Sequence, residues 1–324
     1  LLGHYEEARA AYQRALDQVS GPSRVAVLRR KIAKTLALQG TYEEALQMLR
    51  DVKESLSSED NSLELARVDN DLSWIGLQRG EYDDALTWCL EGLSLIRSPQ
   101  EPNNDQVLSL RSEMLHSLGS IYGRLGEYER SIDCFQQSIH ESEARGDLYG
   151  TGRSYVNLAV VYWRQGDFDL VETYLSESLH IFERIGYAHG RAMCHNNLGA
   201  LYYTLGKYDQ AIENYRKSLQ MRQEIGDVQG IADVYNNLGE VYHALSDGRQ
   251  ARHYLEQAAE MFVRLGDKAT LVDTYRLLAE VALSLDNSET AVEFGHRSFE
   301  LAESIGNTEY MGASARVLGW IYRE

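Results

Sequence analysis

Nine histidines, three cysteines and 49 acidic residues are the groups in this 324-residue chain with which catalysis or metal capture would be done. A metal site gathers several His, Cys or carboxylate ligands at short, regular spacing. The histidines are scattered instead, and His243 and His253 fall on two different helices with nothing at ligand spacing to complete a set. They read as surface histidines, and no metal is assigned. No H-E-x-x-H, no G-x-x-x-x-G-K-S/T loop and no G-x-G-x-x-G turn occurs, so the motifs that hold metals, phosphates and dinucleotides are missing. Paired carboxylates for acid–base work can be drawn anywhere in so acidic a chain, and no spacing singles out one pair. Arg145-Gly146-Asp147 spells an adhesion tripeptide, yet Ile225-Gly226-Asp227 and Leu265-Gly266-Asp267 hold the same place 80 and 120 residues on, so a repeat explains it. The chain is read as a non-enzyme with no catalytic residue and no cofactor.

The repeat governs everything else. Gly126, Gly166 and Gly206 lie 40 residues apart, and Ser246 and Asp286 continue the beat in the same slot. Upstream, Gly80, Gly40 and Gly3 hold equivalent places, at spacings of 46, 40 and 37. A second series, Gly146, Gly186, Gly226, Gly266 and Gly306, keeps the same period, so each period holds two elements. Both read as helices. Leu198, Leu201, Tyr202 and Leu205, then Tyr208, Ala211, Ile212, Tyr215 and Leu219, recur at the three- and four-residue intervals of an amphipathic stripe. Glycine closes each helix because it tolerates a left-handed cap. The acids that follow (Glu81, Glu127, Asp167) suit the positive end of the next helix.

Composition agrees. An apolar content of 44% suits a folded chain, and only three prolines allow long helices. A length of 324 residues is near the limit of one globular core, which favours several domains or an array. The net charge of −17 repels phosphate backbones and anionic lipids, so neither nucleic acid nor membrane is an expected partner. No apolar run approaches the ~20 residues of a bilayer span. Cys89, Cys134 and Cys194 are odd in number, fall at inward helix positions and point to a reducing, cytoplasmic setting.

Leu198-Gly199, Tyr202, Gly206, Tyr208, Ala211, Tyr215 and Ser218 resemble the signature of the tetratricopeptide repeat (TPR). Leu158-Ala159, Tyr162, Gly166, Phe168, Leu175, Ser178 and Leu118-Gly119, Tyr122, Gly126, Tyr128, Phe135, Ser138 repeat it. The family unit is about 34 residues; here the second helix is longer, and Gly-Asp replaces the usual proline. This long form is similar to peptide-binding polarity scaffolds and to C-terminal arrays of bacterial regulators. The resemblance implies an all-α fold, an α-solenoid in which hairpins form a right-handed superhelix, with about 16 helices in all. A single solenoid over 1–324 is expected: a lone second helix of a truncated repeat (1–23), seven full repeats (24–310) and a truncated first helix (311–324). Trp320, Ile321 and Tyr322 on that last helix have nothing downstream to cover them, which points to a piece of a longer protein and leaves self-association through uncapped ends open. Residues 97–105, with two prolines and two asparagines, read as an irregular loop, either a joint or a tolerated surface insertion, and loop physics favours the second.

In TPR arrays the first helices line the concave groove. Relative to the leucine of the Leu-Gly pair, the groove positions are −5, −2, +2 and +5, one helical stripe. They supply a basic start (Arg30, Lys34, Arg67), an aromatic and apolar middle (Trp74, Val156, Val160, Trp163, Tyr203, with Arg153) and an acidic end (Asp233, Glu240, Asp273, Glu280, with His243 and Arg276). Asn70, Asn196 and Asn236 are amides able to bond a peptide backbone. A peptide with acid at one end and base at the other would complement this groove. Asn157, Asn197 and Asn237, one residue before the leucine, read as structural ties between helices. A chaperone-tail clamp needs Lys and Asn four apart, which Arg30/Lys34, Asn196/Ala200 and Asn236/Glu240 do not supply. The expected function is a protein-interaction scaffold holding a peptide or protein segment. The alternative is a ligand-sensing module of a larger bacterial signalling protein, such as an ATPase, nucleotide cyclase or transcription activator.

Overall fold

The computed structural model describes residues 2–56, 61–96 and 105–323, and every regular element within them is an α-helix. The chain divides into two compact units at residues 167 and 168. The first holds α1 (Leu2–Leu16), α2 (Pro22–Leu38), α3 (Tyr42–Ser55), α4 (Ser62–Arg79), α5 (Tyr82–Leu95), α6 (Asp105–Leu125), α7 (Tyr128–Ala144) and α8 (Leu148–Gln165). The second holds α9 (Phe168–Arg184), α10 (Ala188–Thr204), α11 (Tyr208–Ile225), α12 (Val228–Ala244), α13 (Gly248–Leu265), α14 (Lys268–Ser284), α15 (Ser288–Ser304) and α16 (Thr308–Ile321). Three hairpins stand in each unit between two single helices: α2–α3, α4–α5 and α6–α7, then α10–α11, α12–α13 and α14–α15. The loop expected at 97–105 lies outside the described residues except for Asp105, which opens α6.

The turn slots behave as the glycine beat requires. Gly80 closes α4 at φ +78°, and the following N–H, of Glu81, donates to the Gly76 carbonyl at 2.9 Å. Ser246 and Asp286, the two non-glycines in that slot, are the described non-glycine residues with positive φ, at +59° and +56°. Each holds a left-handed conformation that costs an L-residue roughly 1–2 kcal/mol. At the other turn, Gly-Asp does two jobs: glycine ends one helix and aspartate caps the next. Asp147 accepts from the Gly150 N–H at 2.9 Å, and Asp227 and Asp267 accept likewise from Gly230 and Thr270. Glu81 and Glu127 also stand at N-caps but make no side-chain cap bond, since the longer acid caps poorly and contributes only its charge.

Packing inside a hairpin is a matching of sizes. The residue after the reference leucine on the first helix faces the residue nine past the turn glycine on the second. Gly119 faces Phe135, Gly199 faces Tyr215 and Gly239 faces Leu255. Ala33 and Leu49, both fully buried, hold the same two slots in the first hairpin. The signature serines tie the two helices together: Ser138 donates to the Ser112 carbonyl at 3.0 Å, Ser218 to Ala192 at 2.8 Å and Ser298 to Val272 at 2.9 Å. These buried hydroxyls satisfy themselves without water, each contributing about 1 kcal/mol.

Candidate peptide-binding faces

The stripe of first-helix positions divides into two roles. At three places position −2 lies in the seam between consecutive first helices and bonds across it to the residue one before the next reference leucine. In the second unit Asn237 Nδ2 donates to Asn196 Oδ1 at 3.1 Å. In the first unit Asn157 and His116 make the same tie at 2.9 Å, and Arg30 and Asp71 make its charged version at 2.7 Å. Asn236, at −2, is buried, accepts from the Thr274 hydroxyl at 2.9 Å and donates to Glu240 at 3.2 Å. Arg30, Asn196 and Asn236 therefore hold helices together, and +2 and +5 are the offsets that keep side chains in contact with water. There Lys34 and Val160 are exposed, while Trp74, Trp163, Tyr203, Glu240, His243 and Glu280 are half-buried.

The basic start in the first unit is largely neutralised. Arg30 donates to Glu64 at 2.6 Å and to Asp71 at 2.7 Å, Lys34 stands 3.5 Å from Asp71, and Arg67 reaches Glu64 at 3.2 Å. Burial pulls the Arg30 pKa down, and the Asp71 and Glu64 charges outweigh it, leaving the guanidinium more firmly protonated than usual. Three cations meet two carboxylates at ion-pair distance, and Asp105 and Glu113 line the hollow beside them. Sequence reasoning missed Glu64 and Asp71. Asp71 was legible, because it holds the slot of Asn157 and Asn237. Arg67, Asn70 and Lys34 still border a hollow of about 290 Å³ with Gln106 and Glu113. Asn70 Oδ1 is buried there without a hydrogen-bond partner among the described residues. Arg153 lies over the Tyr149 ring at 5.9 Å.

The second unit's face is acidic. Arg276 bridges Asp273 at 3.3 Å and Glu280 at 2.8 Å, and His243 stands 3.8 Å from Glu280. Glu240 and Asp233 have no cation at ion-pair distance among the described residues. Burial raises the Glu240 pKa against the pull of Arg276 and the Asn236 bond, and burial raises Asp233 against its bond from Gln229. Tyr203 is raised by burial and then by the Glu240 charge.

The buried His116 and the three cysteines are engaged in packing. His116 contacts Ser154 at 2.9 Å and Asn157 at 2.9 Å, a Ser-His-Asn constellation by type. Ser154 is 1% exposed, however, and lies within a chain of serine hydroxyls running to Ser142. Burial and the Arg153 charge hold His116 well below the ordinary histidine range, so it is neutral and structural. The three cysteines are buried and unpaired, and burial pushes Cys89 up to about 12 and Cys134 and Cys194 up to about 11. Their thiols are inert. Among the described residues no group of three His, Cys, Asp or Glu is placed to hold a metal, and no helix is long and apolar enough to cross a membrane.

The family model described as tetratricopeptide repeat matches residues 110–184, 150–224, 190–263 and 230–304, and a second model of that description matches residues 2–60. No curated protein matches the chain. Among solved structures, the chain is similar to a signal transduction ATPase with numerous domains, bearing a tetratricopeptide repeat sensor, from Pyrococcus horikoshii. The TM-score is 0.70 at 18% identity, over 97% of this chain and 49% of that one. It is also similar to the apo form of RapI, with a TM-score of 0.67 at 16% identity over 87% of this chain and 98% of that one. A Rap protein complexed with competence and sporulation factor superposes at a TM-score of 0.65 and 12% identity, over 99% of this chain and 96% of that one. At these identities the likeness is one of fold.

Proposed function

The chain belongs to the tetratricopeptide repeat family, and from that premise we propose that it is an interaction scaffold holding a peptide or protein segment against the faces of its first helices. The observation that carries this reading is the division of roles along the stripe. Seam positions are bonded inward, while +2 and +5 keep apolar and aromatic groups partly in water beside unbalanced charge. Half-exposed aromatics with charged neighbours are the composition of a binding surface. An interaction module needs no catalytic group, and the reading includes no enzyme activity. The buried, unpaired cysteines support a reducing, cytoplasmic setting.

The test is affinity capture with mass spectrometry, comparing the intact chain with Trp163→Ala and Tyr203→Ala. The variants are expected to lose the captured partner at unchanged helicity, and retained capture refutes the face assignment. A second reading, a sensing module of a larger signalling protein, is supported by the likeness to a sensor-bearing ATPase of which this chain spans 49%. A nucleotide-binding domain joined to this chain in its natural protein would favour it; a natural protein with no such domain would remove it.

A further inference from the structure

The charge that reads an acidic ligand is not where the sequence stripe places it. Arg30 and its neighbours face Glu64 and Asp71. Toward the C-terminal ends of α4, α6 and α8, however, a hollow of about 550 Å³ is lined by Arg79, Arg124 and Arg164 and by no carboxylate. In a chain of net charge −17, such a lining is the exception. Arg79 is held by Glu43 at 2.6 Å and Glu81 at 2.9 Å, so its charge is balanced. Arg164 donates to the Gly123 carbonyl at 3.2 Å and has no acid at ion-pair distance among the described residues. Arg124 is exposed and has no polar partner among the described residues. Asn157 and Ser120 also line the wall, engaged with the His116 ring at 2.9 Å and with its carbonyl at 3.1 Å, and Val160, 43% exposed, adds an apolar patch beside the two guanidiniums. Neighbouring packed helices lie about 8–10 Å apart, so arginines from α6 and α8 can approach one anionic group together. A guanidinium presents its donors as a fork that matches a carboxylate.

Resting on the scaffold reading above, we infer that this hollow is the subsite for a carboxylate of the bound peptide, an acidic side chain or its free C-terminus, set beside an apolar residue on Val160. A purely structural role for the arginines, satisfying helix-end carbonyls and the helix dipole, would cost stability on mutation and leave peptide choice untouched. Phosphate backbones are disfavoured by the field of the whole chain.

The test uses the intact chain and a bead-displayed library of random heptapeptides, each carried with a free carboxyl end and as its amide. Retained peptides are expected to carry Asp, Glu or the free end. The Arg124→Gln/Arg164→Gln double variant should bind those peptides about tenfold or more weakly, as expected for losing bonds to a charged group, at an unchanged thermal midpoint. Retention of neutral or basic peptides, or a double variant that binds like wild type while Trp163→Ala does not, overturns the carboxylate subsite and leaves the scaffold reading standing. A wild-type chain that retains no peptide overturns both.

Discussion

Two glycines in the same repeat slot should respond to alanine with opposite sign. Gly199 on α10 and Gly319 on α16 each follow a reference leucine. A Cβ at Gly199 would lie 2.7 Å from two ring carbons of Tyr215 and 3.0 Å from a third. That ring is 2% exposed and packed among Val234 and Leu238, so it has no room to retreat. At Gly319 a Cβ would meet nothing within 4 Å. Alanine in a helix gains about 1 kcal/mol over glycine from reduced backbone freedom, while overpacking a filled core costs about 1–3 kcal/mol. Gly199→Ala is therefore expected to destabilise by up to about 2 kcal/mol, and Gly319→Ala to stabilise by about 0.5–1 kcal/mol. Urea unfolding followed by circular dichroism measures both. Repeat arrays can unfold in segments, so amide exchange in α10 and α11 supplies the local value. Adding Tyr215→Leu to Gly199→Ala recreates the Ala33–Leu49 pairing and should recover much of the loss. Equal signs for the two alanines would refute the size-matching account.

Two further outcomes are expected. Asp69 is fully buried and bonded to Lys53 at 2.6 Å, and burial raises its pKa against the pull of that ammonium. Lys53→Met strands the carboxylate and should cost about 3 kcal/mol, the low end for breaking a buried pair because Lys53 is 32% exposed; adding Asp69→Asn should restore most of it in a double-mutant cycle. His116 is held neutral when folded, whereas the unfolded chain protonates it near pH 6.5. The unfolded state then binds the extra proton below that pH, so stability falls as pH drops, by up to roughly 1.4 kcal/mol per pH unit for this group. Denaturant midpoints of wild type and His116→Gln between about pH 7 and 5 should diverge in slope, and parallel curves would remove His116 from the acid response.

Periodicity made the helices, their turns and the stripe legible, because 3.6-residue spacing and left-handed caps are local properties of a chain. Ser246 and Asp286 were found in the glycine slot by counting alone, and their positive φ followed. The serines and the small-residue slots were legible as types, but their partners were not. The candidate site was legible as a face and less so as a set of contacts. Asn236 and Asn196 are amides of the right kind at the right spacing, and neighbouring helices use them first. Arg124 and Arg164 recur 40 residues apart, two before the turn glycine, a signal present in the sequence but off the stripe of the four groove offsets.

Family, element type and repeat register are thus properties of this sequence by itself, since each depends on residues a few positions apart. Which charges remain free was decided only by tertiary structure. Arg30 and Asp71 are 41 residues apart, as are His116 and Asn157 and Asn196 and Asn237. Stacking one repeat on the next brings each pair within bonding distance and spends its polar groups on the seam. Electrostatic compensation acts through space, and a helix stripe read one repeat at a time does not contain the neighbour that neutralises it.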